Sequence, residues 1–179
     1  MKTASLALAF ALSLTCAPAW AQAPSSRFLD PADLDPVLIL PPPPADGSPA
    51  QIAGLAELHR LQEARTAEQL AQAKHDDELE DVRAIADVLG PPFDLAKYPA
   101  TARVFADLRK EDSAAAKRAK AYFERNRPWV GDATLAPCSQ DDAPKSSYPS
   151  GHATMGYAAA TLLADLIPGN AQVILARAA

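Results

Sequence analysis

The chain has 179 residues and carries 17 basic and 22 acidic side chains, which gives a formal net charge of −5 at neutral pH. This acidic balance argues against nucleic acid as a partner, whereas a local cationic pocket on an acidic protein is compatible with small anionic ligands. The length is sufficient for one domain with a substantial hydrophobic core and too short for two.

The first 21 residues have the pattern of a secretory signal peptide. Lys2 precedes an apolar stretch over residues 4–14, and Ala19-Trp20-Ala21 offers the small side chains that a signal peptidase recognises. The apolar stretch is too short to cross a bilayer as a mature helix. We therefore predict cleavage after Ala21, a periplasmic or secreted protein, and no membrane attachment after cleavage.

Residues 22–49 are rich in proline, and we predict that they form an extended arm. The prolines, including the run Pro41 to Pro44, oppose regular helix. A flexible polyproline linker is one interpretation of this composition. The short apolar stretch from Val37 to Leu40 favours the alternative, in which the arm docks on the helical body that follows it.

Residues 50–179 show helical spacing of apolar side chains and no β-alternation, so we predict a single all-α domain. Thr66 and Gln69 form a capping-box pattern that begins one helix. This helix is predicted to extend to Leu89, because Gly90 and two prolines follow.

Two further helical segments are predicted in the middle of the chain. The pair Tyr98-Pro99 interrupts the helical pattern, and the apolar residues Val104, Phe105 and Leu108 mark the segment after it. A second helix is predicted over residues 114–126, and this helix carries the first group of candidate site residues.

Lys120 and Arg127 are seven residues apart, a spacing that places two side chains on the same face of a helix. Pro128 disfavours helical geometry at Arg127, which we therefore predict to be a helix end whose guanidinium is free to enter a cleft. Arginine offers a planar fork of donors to a tetrahedral oxyanion, and lysine adds a compact charge. The alternative is a solvated face on which Lys120 pairs with Glu124.

The stretch Pro149-Ser150-Gly151-His152 has the features of a helix start. Ser150 is a favourable N-cap, Gly151 has no side chain, and an apolar helix is predicted over residues 153–167. The unpaired backbone N–H groups and partial positive charge of such a terminus can hold a phosphate. A loop over residues 128–149 precedes it, and loops of this length in compact domains are usually functional. Phosphoryl transfer is therefore the leading hypothesis.

Lys120, six further residues, Arg127-Pro128 and then Pro149-Ser150-Gly151-His152 resemble the first two of three signature motifs of the type 2 phosphatidic-acid-phosphatase superfamily. Within this superfamily, the chain resembles the class A bacterial non-specific acid phosphatases most specifically, on the basis of residues 147–154 and the proline run of the arm. The resemblance implies an all-helical fold of the acid phosphatase and vanadium haloperoxidase type. It also implies that no metal or other cofactor is used.

The ligands and site residues follow from the same resemblance. Phosphate monoesters and inorganic phosphate are the implied ligands. His152 is implied to be the general acid that protonates the leaving alcohol. The implied phosphate-binding residues are Lys120, Arg127, Ser150 and Gly151.

The third motif of the superfamily is Ser-Arg, five residues, His, three residues and Asp, and its histidine attacks phosphorus to form a phosphohistidine. The sequence has no match to this motif: 27 residues follow His152, and none is a histidine. His59 and His75 lie in charged helical stretches, and we predict that both are solvated surface residues. We therefore expect a helical domain that is incomplete at its C-terminus.

Two hypotheses remain open for these 179 residues. One is a secreted acid phosphatase whose nucleophilic histidine is absent from the chain, and the other is a catalytically inactive, truncated protein that at most binds phosphate. A lipid phosphatase would need transmembrane helices, and a haloperoxidase would need the same histidine. Cys138 is the single cysteine after the leader; by the resemblance its partner lies in the missing segment, and a plain buried thiol is the alternative.

Overall fold

The computed structural model describes residues 28–30, 34–91 and 93–179. The predicted signal peptide, its cleavage site and the first residues of the arm lie outside these described residues. Within the described ranges the chain forms helices and no β-strand, so the prediction of an all-α fold is confirmed. None of the helices in these ranges combines the length and the apolarity that a membrane span requires.

The helices occur in the following order, with their bounds in parentheses: α1 (Pro36–Ile39), α2 (Pro49–Ala64), α3 (Ala67–Leu79), α4 (Arg83–Ala86), α5 (Pro99–Phe123), α6 (Pro128–Gly131), α7 (Gly151–Leu166) and α8 (Ala171–Ala178). Short 3₁₀ turns follow α4, precede α5 and connect α7 to α8: Asp87–Leu89, Leu95–Lys97 and Pro168–Asn170. The connection from α6 to α7 is the longest irregular segment within the described ranges.

The hydrophobic core lies where α7 packs against α5, α8 and α4. Leu163 on α7 and Ile174 on α8 are fully buried, and Ile85 and Phe105 belong to the same buried cluster. Burial of a side chain of this size contributes about 1.5–3 kcal/mol. The cluster therefore fixes the position of α7, and with it the N-terminus of that helix, relative to α5.

An ion-pair network fixes α8 as well. Arg177 Nη2 donates to the two carboxylate oxygens of Asp76 at 2.7 and 2.6 Å. Arg177 Nε donates to Asp87 Oδ1 at 3.2 Å. These bonds join the last helix to α3 and to the 3₁₀ turn after α4.

The described part of the proline-rich arm docks on the helical body. α1 packs against α5, and Arg118 Nη2 on α5 donates to the carbonyl oxygen of Leu34 at 3.3 Å. The backbone N–H of Phe28 donates to Glu111 Oε1 at 2.9 Å. Docking of the arm is therefore confirmed for these residues.

The expectation that the prolines exclude regular helix from the arm is wrong for α1. Pro36 occupies the first helical position, where the missing N–H would have had no partner in the helix. The side chain of Asp35 caps the same end by accepting the N–H of Val37 at 3.0 Å. One helical turn is thus compatible with this proline spacing.

α2 lies apart from the core, because none of its residues is buried. Side-chain bonds connect it to the loop after α6: Gln62 Nε2 donates to the carbonyl of Thr134 at 3.1 Å, and Gln62 Oε1 accepts the N–H of Ala136 at 2.6 Å. Arg65 Nη1 donates to the carbonyl of Ala136 at 2.7 Å. Polar contacts rather than apolar packing thus position α2.

The capping box of Thr66 and Gln69 is confirmed, but the predicted end of its helix is wrong. α3 ends at Leu79 and not at Leu89. Glu80 follows with φ of 40°, in the left-handed region that few residues other than glycine adopt. Neither glycine nor proline marks this end in the sequence, which is why the helical pattern was extended too far.

The two helical segments predicted after Tyr98 form one continuous helix, α5. It ends at Phe123 rather than Asn126, because Glu124 adopts φ of 43°. Arg127 therefore lies beyond the helix, and the prediction that it shares a helix face with Lys120 is wrong. Arg127 is the N-cap of α6 and not the end of the preceding helix.

Candidate active site

A cavity of about 770 Å³ is bounded by α5, the N-terminus of α7 and the segment that joins α3 to α4. Its apolar lining includes Phe105 and Met155. The five site residues predicted from the sequence all line this cavity: Lys120, Arg127, Ser150, Gly151 and His152. The structure therefore brings together side chains from α5, α7 and the loop between them.

The N-terminus of α7 is capped as predicted. Ser150 Oγ accepts the N–H of Ala153 at 3.2 Å, which satisfies one of the unpaired donors of the first turn. The helix begins at Gly151, slightly before the predicted start. Within the described ranges no hydrogen bond uses the N–H groups of Gly151 and His152. These two donors and the helix dipole can therefore act on an anion in the cavity.

Lys120 approaches this helix terminus from the last turn of α5. A β-carbon added to Gly151 would lie 3.5 Å from Lys120 Nζ, so the ammonium group lies directly beside the backbone of the glycine. Burial is the main cause that lowers the pKa of Lys120, and the positive charge of Arg127 adds to it. The alternative pair of Lys120 with Glu124 does not form.

The long loop, rather than a helix, positions Arg127. Its Nη2 forms an ion pair with Asp142 at 2.5 Å, and its Nε and Nη2 donate to Ser146 Oγ at 3.2 and 3.1 Å. The guanidinium lies 5.2 Å from the centre of the Trp129 ring, and the backbone N–H donates to the carbonyl of Pro144 at 2.7 Å. The sequence analysis missed these loop partners because no motif or spacing marks them.

His152 lies at the open rim of the cavity, where 43% of its side chain is exposed. Its Nε2 is 3.4 Å from Asp77 Oδ1 and 3.7 Å from Glu80 Oε1. Both carboxylates come from the end of α3, which is distant in sequence. Their proximity to His152 was therefore another feature that the motif did not reveal.

The other histidines and Cys138 do not line the cavity. His75 is exposed on α3, as predicted. His59 also lies at the surface, with 35% of its side chain exposed, and its Nε2 is 2.8 Å from Asp132 Oδ2. Hydrogen bonds from Thr134 and then from His59 lower the pKa of Asp132 to about 2. Cys138 is a half-buried free thiol, and no group of three or more His, Cys, Asp or Glu side chains in the described ranges is arranged to hold a metal ion.

Asp112 is a partly buried carboxyl group on the cavity wall that the sequence analysis did not select. Its Oδ2 is inaccessible to solvent and has no hydrogen-bond partner within the described ranges. Burial raises the pKa of Asp112 to about 6, against the opposing effects of the N–H of Ser113 and the charge of Arg109. The charged form of this carboxyl group is therefore unfavourable in the folded protein.

Substitution Asp112→Asn is expected to stabilise the fold at neutral pH and not in acid. The pKa in the folded state, about 6, lies above the ordinary value of 3.8, so the carboxylate form destabilises the fold progressively between these two values. After a discount for partial exposure, we expect a gain of about 1–2 kcal/mol at pH 7.5 and almost none below pH 4. Urea unfolding at both pH values measures the effect, with exposed Asp165→Asn as the control. An equal gain at the two pH values would contradict this explanation.

The helical fold and the cationic cavity at a capped helix terminus define an all-α protein with a candidate phosphate site. An acid phosphatase of Zymomonas mobilis subsp. mobilis is 33% identical over 150 residues, which cover 80% of this chain and 56% of that protein. A non-specific acid phosphatase of Providencia stuartii is 31% identical over 151 residues, which cover 80% of this chain and 61% of that protein. These similarities support a family relationship to the acid phosphatases. It spans less than two thirds of the length of these relatives, and no protein-family model matches it.

Proposed function

We propose that the chain contributes the phosphate site and the general acid of a secreted acid phosphatase that hydrolyses phosphate monoesters. The observation that carries this proposal is the convergence of Lys120 and Arg127 on the cavity at the N-terminus of α7. The relationship to curated acid phosphatases supports the same class of reaction. The predicted leader supports export to the periplasm or the medium.

In the proposed site, two cations and a helix terminus bind the oxygens of the phosphoryl group. Lys120 and Arg127 supply positive charge, and the N–H groups of Gly151 and His152 supply oriented donors. The hydroxyl hydrogen of Ser150 also remains available, since its oxygen acts as the acceptor in the helix cap. Such preorganised donors stabilise the charge of the transition state.

In this proposal, an incoming phosphate displaces the carboxylate of Asp142 from the guanidinium of Arg127. Asp142 neutralises Arg127 in the free protein, and a phosphate oxygen takes its place when the ligand binds. Ser146 and Trp129 keep the guanidinium oriented during the exchange, because both contact it independently of Asp142. The loop is therefore part of the binding site.

His152 acts as the general acid in the proposed reaction. At the rim of the cavity, the protonated ring donates to the alcohol oxygen as the bond from phosphorus to that oxygen breaks. The nucleophile that forms the phosphohistidine is a further histidine, because His59 and His75 lie away from the cavity. The second candidate function is a non-catalytic phosphate-binding protein, which the absence of a match to the third motif from the 179 residues favours.

Inorganic phosphate is expected to bind the protein, and Lys120→Ala and Arg127→Ala are each expected to weaken binding at least tenfold. A hydrogen bond to a charged group contributes about 1.5–3 kcal/mol, and each 1.4 kcal/mol corresponds to a factor of ten. Isothermal titration calorimetry measures the affinities, and Lys74→Ala, on the exposed surface of α3, is the charge-matched control. Failure to bind phosphate, or unchanged affinity in both site variants, would refute the proposed site.

A further inference from the structure

We propose that Lys117 binds a second anionic group of the ligand, so that the site favours phosphate esters with another phosphoryl group close to the one that is transferred. This inference rests on the function proposed above. It assigns a specificity-determining role to a residue outside the sequence motifs. Its basis is the distribution of ion pairs around the cavity.

Six lysine and arginine side chains line the cavity: Arg83, Arg109, Lys110, Lys117, Lys120 and Arg127. Four of them have a carboxylate partner, in the pairs Arg83 with Asp81 at 2.7 Å, Arg109 with Glu80 at 2.8 Å, Lys110 with Asp107 at 3.4 Å, and Arg127 with Asp142 at 2.5 Å. Within the described ranges Lys117 and Lys120 form no ion pair. The protein thus leaves two neighbouring ammonium groups without a direct counter-ion.

These two lysines lie one turn apart on the cavity side of α5. The β-carbons of residues three apart on a helix are about 5–6 Å from each other. The pKa of Lys120 is lowered mainly by burial, then by the charge of Arg127, and to a smaller extent by the charge of Lys117. Two like charges at this spacing destabilise a helix unless an anion neutralises them.

The positions of the two side chains assign them different parts of a ligand. Lys120 is half-buried beside Gly151, where the phosphoryl group that reacts is bound, whereas Lys117 is exposed and also lines the cavity. The cavity volume of about 770 Å³ lies within the range of about 300–1,000 Å³ that is typical of sites for whole small molecules. A second phosphoryl group of the ligand, bound about one helical turn from the first, therefore contacts the ammonium group of Lys117.

Two ligands that differ only by the second anionic group test this inference. Methylenediphosphonate carries two phosphonate groups on one carbon, and methylphosphonate carries one. Lys117→Met is expected to reduce the affinity for methylenediphosphonate about tenfold and to change the affinity for methylphosphonate less than twofold. Methionine keeps most of the length of the lysine side chain and removes its charge. Lys117 is exposed, and circular dichroism checks that the variant retains its helical fold.

Lys110→Met is the matched control, because Lys110 lines the same cavity but is already paired with Asp107. If Lys117 forms such a subsite, only Lys117→Met reduces the affinity for methylenediphosphonate while leaving that for methylphosphonate nearly unchanged. An equal loss in both variants would show a general effect of positive charge and overturn the inference. Equal losses for both ligands in Lys117→Met would do the same. If the unsubstituted protein binds neither ligand, the proposed function fails and this inference fails with it.

Discussion

Residues 22–179 are expected to hydrolyse p-nitrophenyl phosphate at a negligible rate, whereas a longer chain that continues into the third motif is expected to be active without added metal. The reason is that the cavity of the short chain has no histidine available as the nucleophile. His152 lies at the rim as the proposed acid, and the other histidines do not line the cavity. Loss of a catalytic nucleophile can reduce turnover by several orders of magnitude. Release of p-nitrophenol by both proteins measures the difference.

The decisive control uses the short chain itself. Any residual activity of residues 22–179 is compared with that of His152→Ala and His59→Ala in the same protein. Activity that persists in both variants depends on neither of these two histidines. Robust turnover by the short chain that disappears with His152→Ala would show that a further histidine is not required.

His152→Ala in an active, longer chain is expected to slow hydrolysis of an alkyl phosphate about 10²–10⁴-fold, the usual contribution of a general acid. Hydrolysis of p-nitrophenyl phosphate is expected to slow far less, because nitrophenolate leaves without protonation. The ratio of kcat/KM values for glycerol 2-phosphate and p-nitrophenyl phosphate measures the effect. His75→Ala, which alters an exposed histidine of α3, is the control. Equal losses for the two substrates would exclude His152 as the general acid.

Local chemistry explains which parts of the fold could be predicted from the sequence. Ser150 and the capping box of Thr66 and Gln69 depend on hydrogen bonds within a few residues, and the structure contains both caps. The docking of α1 on α5 was predicted from a short apolar stretch, but Leu38 and Ile39 of that stretch are 85% and 65% exposed, so burial of these two side chains does not explain it. The two caps depend on near neighbours, which a single sequence displays directly.

The helix ends at Leu79 and Phe123 were not predictable in the same way. Glu80 and Glu124 adopt left-handed backbone conformations, which cost non-glycine residues about 1–2 kcal/mol. Their surroundings have to compensate for this cost, and those surroundings exist only in the folded protein. The break at Tyr98 was correct, whereas the predicted gap before Ala114 was wrong, because the intervening residues permit helix and pack along the cavity.

The candidate site was located from the sequence, although the reason given for part of it was wrong. Lys120 and Arg127 reach the same cavity without sharing a helix, since α5 ends at Phe123 and residues of the long loop hold the Arg127 side chain. The bond of Arg127 to Ser146 and its ion pair with Asp142 create this geometry. Contacts between a loop and a side chain have no periodic signature, so they emerge only from the structure.

The attachment of α2 by polar side chains has a consequence for how the protein opens. A helix that buries no apolar residue adds little to the free energy that resists its own detachment. Breaking the bonds of His59, Gln62 and Arg65 to the loop frees α2 while the packing of α7 against α5 and α8 persists. The backbone amides of α2 therefore exchange their hydrogens with water through local opening, without global unfolding. The amides of the core helices stay protected from exchange until the whole protein unfolds. α2 and the core therefore do not unfold as one cooperative unit.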